Sequence, residues 1–337
     1  MHRRSLNLIM HDLRDNLYSL HSMDPRHLFY QTAEIAAEDA SKAKKKQQPV
    51  ASFKASSFFT LLRENSIMVA DSHGRTTLID TDFNSVVPMP PMENGKGPNC
   101  ICFSIPNPDP LISLDSQCLF VLDLVPPSSG NSCMNPSTFE FLIHLHGRLP
   151  ASYDPVNARA AMNCAFMLLD TKTMCISSRE DGIGTYTFDM VNHKWSWAGS
   201  WVLPFSGKAE YVPNLKLWVA LSPPSSPHGL CALDLPANAM DFESPPELLR
   251  AWDYLHLLDD EAPYKRHLVN LGSGKFCVVS FFKTLETKYV EENIEDESAV
   301  FTGLEVCRDN DGEGAARMIE HRSKRYTFGR FGIHCVL

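Results

Sequence analysis

Two pairs of side chains have the residue types and the spacing from which a metal or thiol site could be built. His144 and His146 are two positions apart, and so are Cys100 and Cys102. Residues two apart on a strand point to the same face, so each pair offers two ligands to one ion. A catalytic metal also needs a third protein ligand, and neither pair has one nearby in the sequence. We therefore predict polar strand-face histidines, buried free cysteines and no bound metal, with a metal site at the histidine pair as the alternative.

The glycine-containing motifs fall short of the patterns that bind nucleotides or carry out catalysis. Gly182 and Gly184 are not followed by the helix of a dinucleotide-binding motif, and Gly272-Ser-Gly-Lys275 lacks the spacing of a phosphate loop. The stretch 178–186 misses the sialidase Asp-box by one position. The chain contains neither Gly-x-Ser-x-Gly nor His-Glu-x-x-His. These glycines instead suit tight hairpin turns, so we predict no catalytic residue, no cofactor-binding residue and no cofactor.

Charge and composition narrow the classes of partner and the location. The formal net charge is −9 and the pI is about 5.8, which disfavours a nucleic-acid partner. The basic run Lys42–Lys46 is predicted to be a solvated linker, with a nuclear import signal as the alternative. No stretch approaches the roughly 18 apolar residues of a membrane span, and the ten cysteines form no CxxC pair. We predict a soluble protein with reduced thiols, without a membrane partner, in the cytoplasm or the nucleus.

One stretch in the middle of the chain has the pattern of two strands joined by a turn. Thr185–Phe188 alternates as a half-buried strand does, Asn192–Lys194 suits a turn, and tryptophans follow it. An apolar residue followed by an acidic one ends this strand, and such pairs recur along the chain at Ile79-Asp80, Phe188-Asp189, Leu233-Asp234 and, more loosely, Leu304-Glu305. Kelch and WD40 repeats have roughly 40 to 50 residues. On this scale the first and second pairs are about two repeats apart, and the second and third pairs are about one repeat apart.

These repeats predict an all-β fold, a single kelch-like β-propeller of about six blades. A small antiparallel sheet cannot bury both of its faces alone, whereas sheets arranged in a ring cover one another. We predict that residues 1–30 supply N-terminal strands that close the last blade and that residues 31–50 form a flexible linker. Residues 51–337 are then the propeller body, and strands from Arg325–Val336 complete the closing blade.

Three features leave alternatives open. The segment 244–252 suits either a strand or a short helix capped by Ser244. The acidic runs 259–261 and 291–297 are predicted to be solvated loops, with a contact for a basic partner as the alternative. Four tryptophans are predicted to fill the space between blades, with an exposed binding surface as the alternative: Trp195, Trp197, Trp201 and Trp218.

Several longer strings resemble a known family. They are Asp181-Gly-Ile-Gly-Thr-Tyr-Thr-Phe-Asp189, Gly207-Lys-Ala-Glu-Tyr-Val-Pro213, Leu271-Gly-Ser-Gly-Lys-Phe-Cys277, Met23-Asp-Pro-Arg-His-Leu-Phe29 and Glu320-His-Arg-Ser-Lys-Arg-Tyr326. Through them nearly the whole chain resembles a plant family that is expanded in grasses and is catalogued as domain of unknown function 1668. The resemblance implies a kelch-like or galactose-oxidase-like propeller without an established activity and without defined catalytic residues.

The predicted architecture favours a non-enzymatic protein-interaction module whose partner the sequence does not identify. Loops of different length on one face of a rigid ring would select that partner, and the candidate insertions are Pro126–Pro136, Pro223–Pro227 and Lys288–Ser298. A substrate-receptor adaptor is a specific version, by analogy with other plant kelch propellers. The alternative is an enzyme or small-molecule binder that uses the central channel, which convergent ionisable residues with shifted pKa values would favour. The oligomeric state stays open.

Overall fold

The described part of the protein consists of strands and turns. The structure is a computed structural model that describes residues 3, 5–12, 14–29, 49–54, 56–63, 65–92, 100–106, 117–123, 138–141, 145–148, 164–170, 172–179, 183–192, 194–226, 229–234, 246, 248–253, 263–284, 296–308, 315–329 and 331–337. Over these ranges the single helical element is a 3-10 turn at Pro25–Leu28, and no helix could cross a membrane. The prediction of an all-β fold is therefore confirmed.

The described strands form six units of four strands each, and neighbouring strands within a unit are antiparallel. Unit 1 contains β24 (Phe331–Val336), β1 (Leu6–Asp12), β2 (Leu17–Met23) and β3 (Ala51–Lys54). Unit 2 contains β4 (Ser56–Arg63), β5 (Ser66–Asp71), β6 (Thr76–Asp80) and β7 (Ser85–Met89). Unit 3 contains β8 (Cys100–Pro106), β9 (Gln117–Asp123), β10 (Thr138–Phe141) and β11 (Leu145–Arg148).

The second half of the chain repeats this arrangement. Unit 4 contains β12 (Cys164–Leu168), β13 (Thr173–Ser178), β14 (Gly184–Asp189) and β15 (Lys194–Gly199). Unit 5 contains β16 (Ser206–Val212), β17 (Leu217–Leu221), β18 (Leu230–Leu233) and β19 (Leu248–Trp252). Unit 6 contains β20 (Lys265–Gly272), β21 (Lys275–Thr284), β22 (Asp296–Arg308) and β23 (Ala316–Gly329). A short parallel pairing of β12 with β16 joins units 4 and 5 into one eight-stranded sheet.

The two ends of the chain lie in the same sheet. Strand β1 pairs with β24 so that Leu8 lies opposite Val336 and Asp12 lies opposite Phe331. The C-terminal contribution to unit 1 is shorter than the predicted Arg325–Val336, because residues up to Gly329 continue the long pairing of β23 with β22 in unit 6. Unit 1 therefore requires strands from both ends of the chain.

Clusters of buried apolar side chains hold the units together. The cluster between units 3 and 4 contains Phe103, Phe120 and Phe188, and the cluster between units 6 and 1 contains Leu6 and Phe301. Four more clusters join units 1 and 2, units 2 and 3, units 4 and 5, and units 5 and 6. Full burial of one such large side chain stabilises the fold by about 1.5–3 kcal/mol. Each unit thus packs against the unit before it and the unit after it, and the packing order is cyclic.

The recurring apolar–acidic pair marks the turn between the third and fourth strands of a unit. Asp80 ends β6, and its Oδ1 accepts hydrogen bonds from the backbone N–H groups of Asp82 and Phe83 at 2.9 and 3.1 Å. Asp189 ends β14 and accepts from the N–H groups two and three residues further on, both at 2.9 Å. The preceding Ile79 and Phe188 are buried. In units 2 and 4 the motif thus supplies a core residue followed directly by a side chain that closes the turn. The looser pair Leu304-Glu305 lies within β22 and is not at a turn.

The four tryptophans differ in how far they are buried. Trp218 is buried, Trp195 packs on the cluster between units 3 and 4, and Trp201 packs on the cluster between units 4 and 5. Trp197 is 62% exposed on β15, the outermost strand of unit 4. Residues 248–252 form strand β19, and Ser244, the cap of the alternative helix, lies outside the described residues.

Candidate functional site

The paired histidines and cysteines of the sequence differ in how fully the structure describes them. His144 lies outside the described residues, and for His146 in β11 the backbone alone is described. Cys100 and Cys102 lie in β8, are free thiols, and pack against the cluster between units 2 and 3. Across the described part of the chain, no group of three His, Cys, Asp or Glu residues could hold a metal ion. The expectation of a site without metal at the histidine pair stays a prediction.

The glycine motifs shape hairpins. Gly272, Ser273 and Gly274 have φ values of 87°, 54° and 77° and connect β20 to β21. Gly184 has φ 73° at the start of β14, and a Cβ atom there would overlap the carbonyl oxygen of Gly199. Glycine adopts positive φ far more readily than other residues do, so the backbone alone explains the glycines at these positions. Gly182 lies outside the described residues.

The first strands of the units come together, and they bring polar side chains with them. Strand β4 contacts β8, and β16 contacts both β12 and β20. The Thr60 hydroxyl of β4 forms a hydrogen bond with the Cys102 thiol of β8, and Lys208 of β16 lies close enough to interact electrostatically with Cys102. Cys335 of β24 interacts in the same way with both Cys102 and Lys265 of β20. We name the group formed by these side chains the axial cluster; its members are Thr60, Cys102, Lys208, Lys265, His267, His334 and Cys335.

Both thiols of the axial cluster are protonated at neutral pH. Burial raises the pKa of Cys102 to about 12, although the hydrogen bond from Thr60 and the charge of Lys208 act in the opposite direction. Burial also raises the pKa of Cys335 to about 12, against the attraction of Lys265. A thiol in this state is a weak nucleophile and a weak hydrogen-bond donor. The cluster is therefore poorly suited to thiolate chemistry.

Both imidazoles of the axial cluster are uncharged at neutral pH. Burial, together with the positive charge of Lys265, lowers the pKa of His267 to about 3. Burial lowers the pKa of His334 to about 4, with contributions from Lys265 and His11. The His334 ring lies 5.5 Å from the ring of Phe59, edge to face. The buried Nε2 atom of His267 has no hydrogen-bond partner among the described residues.

Lys265 is the charged centre of the cluster. Burial lowers the pKa of its ammonium group, and the nearby Cys335 and Glu297 oppose that shift. Its Nζ lies 5.9 Å from the centre of the Phe281 ring, a cation–π contact. Glu297 is shared with other groups, since its Oε1 accepts a hydrogen bond from the Tyr264 hydroxyl at 3.3 Å and lies 4.0 Å from Lys283 Nζ.

The side chains of the axial cluster combine crowded surroundings with access to solvent. Cys102, Cys335, Lys265, His267 and His334 all keep part of their surface exposed. Their shifted pKa values nevertheless report many protein atoms around each of them. Side chains that line a narrow water-accessible space have both properties. The cluster is thus the kind of site, convergent and ionisable, that the sequence analysis attached to a small-molecule binder.

Sequence reasoning missed all of this cluster except Cys102. Its members come from five strands that are far apart along the chain. An alignment of the six units with one another would have indicated these residues, because they are polar positions in the first strand of a repeat. Lys265 and His267, two apart on β20, are the clearest instance of that signal.

The predicted insertions share one position within their units. Pro126–Pro136 connects β9 to β10, Pro223–Pro227 connects β17 to β18, and Lys288–Ser298 covers most of the connection from β21 to β22. Each therefore joins the second strand of a unit to its third. Pro126–Pro136 lies outside the described residues, as do residues 288–295, 259–261 and the linker residues 31–48.

Solved structures of similar shape share little sequence with this chain. A structural-genomics protein of unknown function from Bacteroides thetaiotaomicron VPI-5482 has 12% identity and a TM-score of 0.39, over 73% of this chain and 55% of that one. An auxiliary nutrient binding protein from the same organism has 8% identity and a TM-score of 0.36, over 80% and 57%. The β-propeller domain of Cps50 (Swd1) from Myceliophteria thermophila has 7% identity and a TM-score of 0.37, over 96% of both chains. This chain spans just over half the length of the first two.

No curated protein sequence matches the chain. A family model does: DUF1668, described as a protein of unknown function, matches residues 3–326. The kelch-like subclass and the plant origin stay predictions that rest on the resemblance. The match covers nearly the whole sequence, and the chain therefore belongs to the DUF1668 family.

Proposed function

We propose that the chain is a closed six-bladed β-propeller that acts as a protein-interaction module, non-enzymatic in this role. The cyclic order of the core clusters supports the ring, since unit 6 packs on unit 1 through side chains such as Leu6 and Phe301. The pairing of β1 with β24 supports its closure by both ends of the chain. The rigid ring would hold the connecting loops in fixed positions, as binding scaffolds do.

The observation that carries the proposal is the shared position of the three insertions. Neighbouring strands of a unit are antiparallel, so the second strand ends beside the start of the first. The connection to the third strand therefore lies at that end in every unit. Strands β12 and β16 run parallel, so these ends coincide for units 4 and 5. In a ring whose first strands all run in the same direction, the connections of units 3, 5 and 6 lie on one face. The same connection is much shorter in units 2 and 4, where residues 72–75 and 179–183 suffice.

Charge indicates the chemistry of the partner. The connection in unit 6 carries Glu291, Glu292 and Glu295, and the whole chain has a net charge of −9. A negative field attracts and orients a positively charged surface and repels an acidic one. We therefore propose a protein partner with a basic contact surface. A substrate-receptor adaptor in the cytoplasm or nucleus is the specific version of this role.

A pair of charge-matched variants tests the proposal. The first variant replaces three acidic residues between the second and third strands of unit 6, as Glu291→Gln, Glu292→Gln and Glu295→Gln. The control replaces three acidic residues between the third and fourth strands of the same unit, at the other end of the ring, as Asp309→Asn, Asp311→Asn and Glu313→Gln. Both remove the same net charge, so any difference between them reflects position.

The measurement is quantitative mass spectrometry of proteins that co-purify with each tagged chain from native tissue. We expect at least one protein that the wild type and the control retain and that the first variant loses by about tenfold, which is roughly 1.4 kcal/mol of binding free energy. A set of co-purifying proteins that is identical for all three chains would contradict the proposed face. A wild type that enriches nothing above the tag would contradict the interaction role.

A second candidate function is supported by a separate observation. The axial cluster gathers ionisable side chains from four first strands into a crowded, partly accessible space. Such a site favours a small-molecule binder that uses the central channel of the ring.

A further inference from the structure

Lys265 holds a positive charge that the described protein does not neutralise by direct contact. Its side chain is partly buried on the first strand of unit 6, and no acceptor among the described residues lies within hydrogen-bond distance of Nζ. Glu297 attracts it but also serves Tyr264 and Lys283. A partly desolvated ammonium group is unfavourable unless a counter-charge or hydrogen-bond acceptors compensate it.

Neighbouring donors on the same strands share this lack of acceptors. His267 is on the same face of β20 as Lys265, and its buried Nε2 has no partner. The protonated thiol of Cys335 is close to Lys265. The axial cluster carries two cations. Lys208 is paired with Glu210 at 2.8 Å, so Lys265 is the one without a salt bridge in the described part of the chain.

We propose that the axial cluster binds the carboxylate group of a small organic acid, with Lys265 as counter-ion and His267 as hydrogen-bond partner. This inference rests on the second candidate function and names its ligand class. An oxyanion supplies the acceptors that these donors lack. A metal cation is a poor candidate, because the two thiols are protonated and Lys265 repels it. The negative charge of Glu297 nearby favours a monoanion over a dianion such as phosphate.

Thermal unfolding of the full chain in matched salts tests the inference. Sodium acetate is the probe, inorganic phosphate the dianionic comparison and sodium chloride the reference, all at one ionic strength. We expect acetate to raise the Tm of the wild type in a saturable way, because a ligand that binds the folded state alone stabilises it. Non-specific salt effects do not saturate in this range and act on every variant alike.

The variant Lys265→Met removes the charge and keeps most of the side-chain length. It is expected to lose the saturable acetate response and, without any anion, to have a higher Tm than the wild type, because the desolvated charge is gone. Lys265→Arg is expected to keep the response. The matched control Lys283→Met, at an exposed cation beside the same Glu297, is also expected to keep it.

Three results would overturn the inference. They are an equal acetate response in Lys265→Met and the wild type, a lower Tm of Lys265→Met than of the wild type in chloride, or a phosphate response as strong as the acetate response.

Should a variant fail to fold, thiol labelling of the wild type tests the inference instead. Acetate is then expected to slow maleimide labelling of Cys335 and Cys102, read by peptide mass spectrometry, and an unchanged rate would refute the site. These readouts do not depend on protein partners, so failure here leaves the interaction proposal intact.

Discussion

The interface between units 3 and 4 and the interface between units 6 and 1 are built on one plan but differ in polarity. The first is filled by Phe103, Phe120 and Phe188 with other apolar side chains around them. The second has a similar apolar interior, yet His267 packs edge to face on Phe281 at 5.6 Å, with Lys265 near the same ring. The comparison teaches that the first strand of a unit can either extend the apolar core or carry polar groups of the axial cluster. The apolar choice adds stability, whereas the polar choice lowers it and creates a possible binding site.

Deletion of residues 1–24 is expected to have the largest effect on this comparison. It removes β1 and β2, and with them the contribution of Leu6 and Ile9 to the clusters on both sides of unit 1. Unit 1 packs on units 6 and 2, so its loss exposes two apolar interfaces, and we expect loss of cooperative unfolding for the whole chain. Calorimetry and near-ultraviolet circular dichroism measure it. A truncated chain that melts at the wild-type Tm would show that the apolar interface of units 3 and 4 is independent of the polar one.

A control for this deletion lies in the predicted linker. Replacing residues 31–47 by a glycine–serine segment of the same length is expected to leave the Tm close to that of the wild type, because flexible segments contribute little to the folded core. A large fall in Tm would contradict the linker prediction and weaken the interpretation of the deletion.

Truncation of the apolar interface is the next effect in size. Phe188 is fully buried, so Phe188→Ala is expected to lower the free energy of unfolding by about 3–5 kcal/mol. Urea unfolding measures the change. Trp197→Ala, at an aromatic residue 62% exposed in the same unit, is the control and is expected to change stability by about 0.5 kcal/mol or less. Similar losses in the two variants would mean that the interface is not the stabilising element.

The polar interface is expected to be recognisable by its pH dependence. His267 has a pKa of about 3 in the folded protein against 6.5 ordinarily, so the unfolded chain binds more protons between these values. Stability contributed by the neutral ring is complete above pH 6.5 and is lost as the pH falls towards 3, by up to about 1.4 kcal/mol per pH unit. Urea unfolding between pH 7.5 and 5 is the measurement, and His267→Phe is expected to reduce the slope. Phe188→Leu, in the apolar interface, is expected to keep the wild-type slope of stability against pH. An equal change of slope in the two variants would contradict the difference in polarity between the two interfaces.

The repeats and their turns could be predicted from the sequence because they depend on neighbours in the chain. Burial alternates from Tyr186 to Asp189, although Thr185 is buried as well, and Asp80 and Asp189 close turns within three residues of themselves. The all-β fold follows from such local signals. The local signal was weakest at 244–252, where the alternative was a short helix, because capping residues also suit the start of a strand. In the structure Leu248–Trp252 is a strand.

The axial cluster could not be predicted in this way. Thr60, Cys102, Lys265 and Cys335 lie in four different units, and each looks in the sequence like an ordinary polar residue in a strand. Their proximity follows from the order in which the units pack, which depends on side chains such as Phe301 and Ile333 in the cores between them. The long insertions were visible as proline-rich or acidic stretches, but their common place between second and third strands required the strand order.

The sequence by itself determined the strands, the closing of turns by aspartate and the family to which the chain belongs, because each of these is encoded in short, contiguous stretches. The tertiary structure alone decided that Cys335 interacts electrostatically with Lys265, and that the C-terminal strand in the shared sheet begins at Phe331 and not at Arg325. The physical reason is that burial of apolar surface between units sets their order, and this order converts positions far apart in the chain into neighbours.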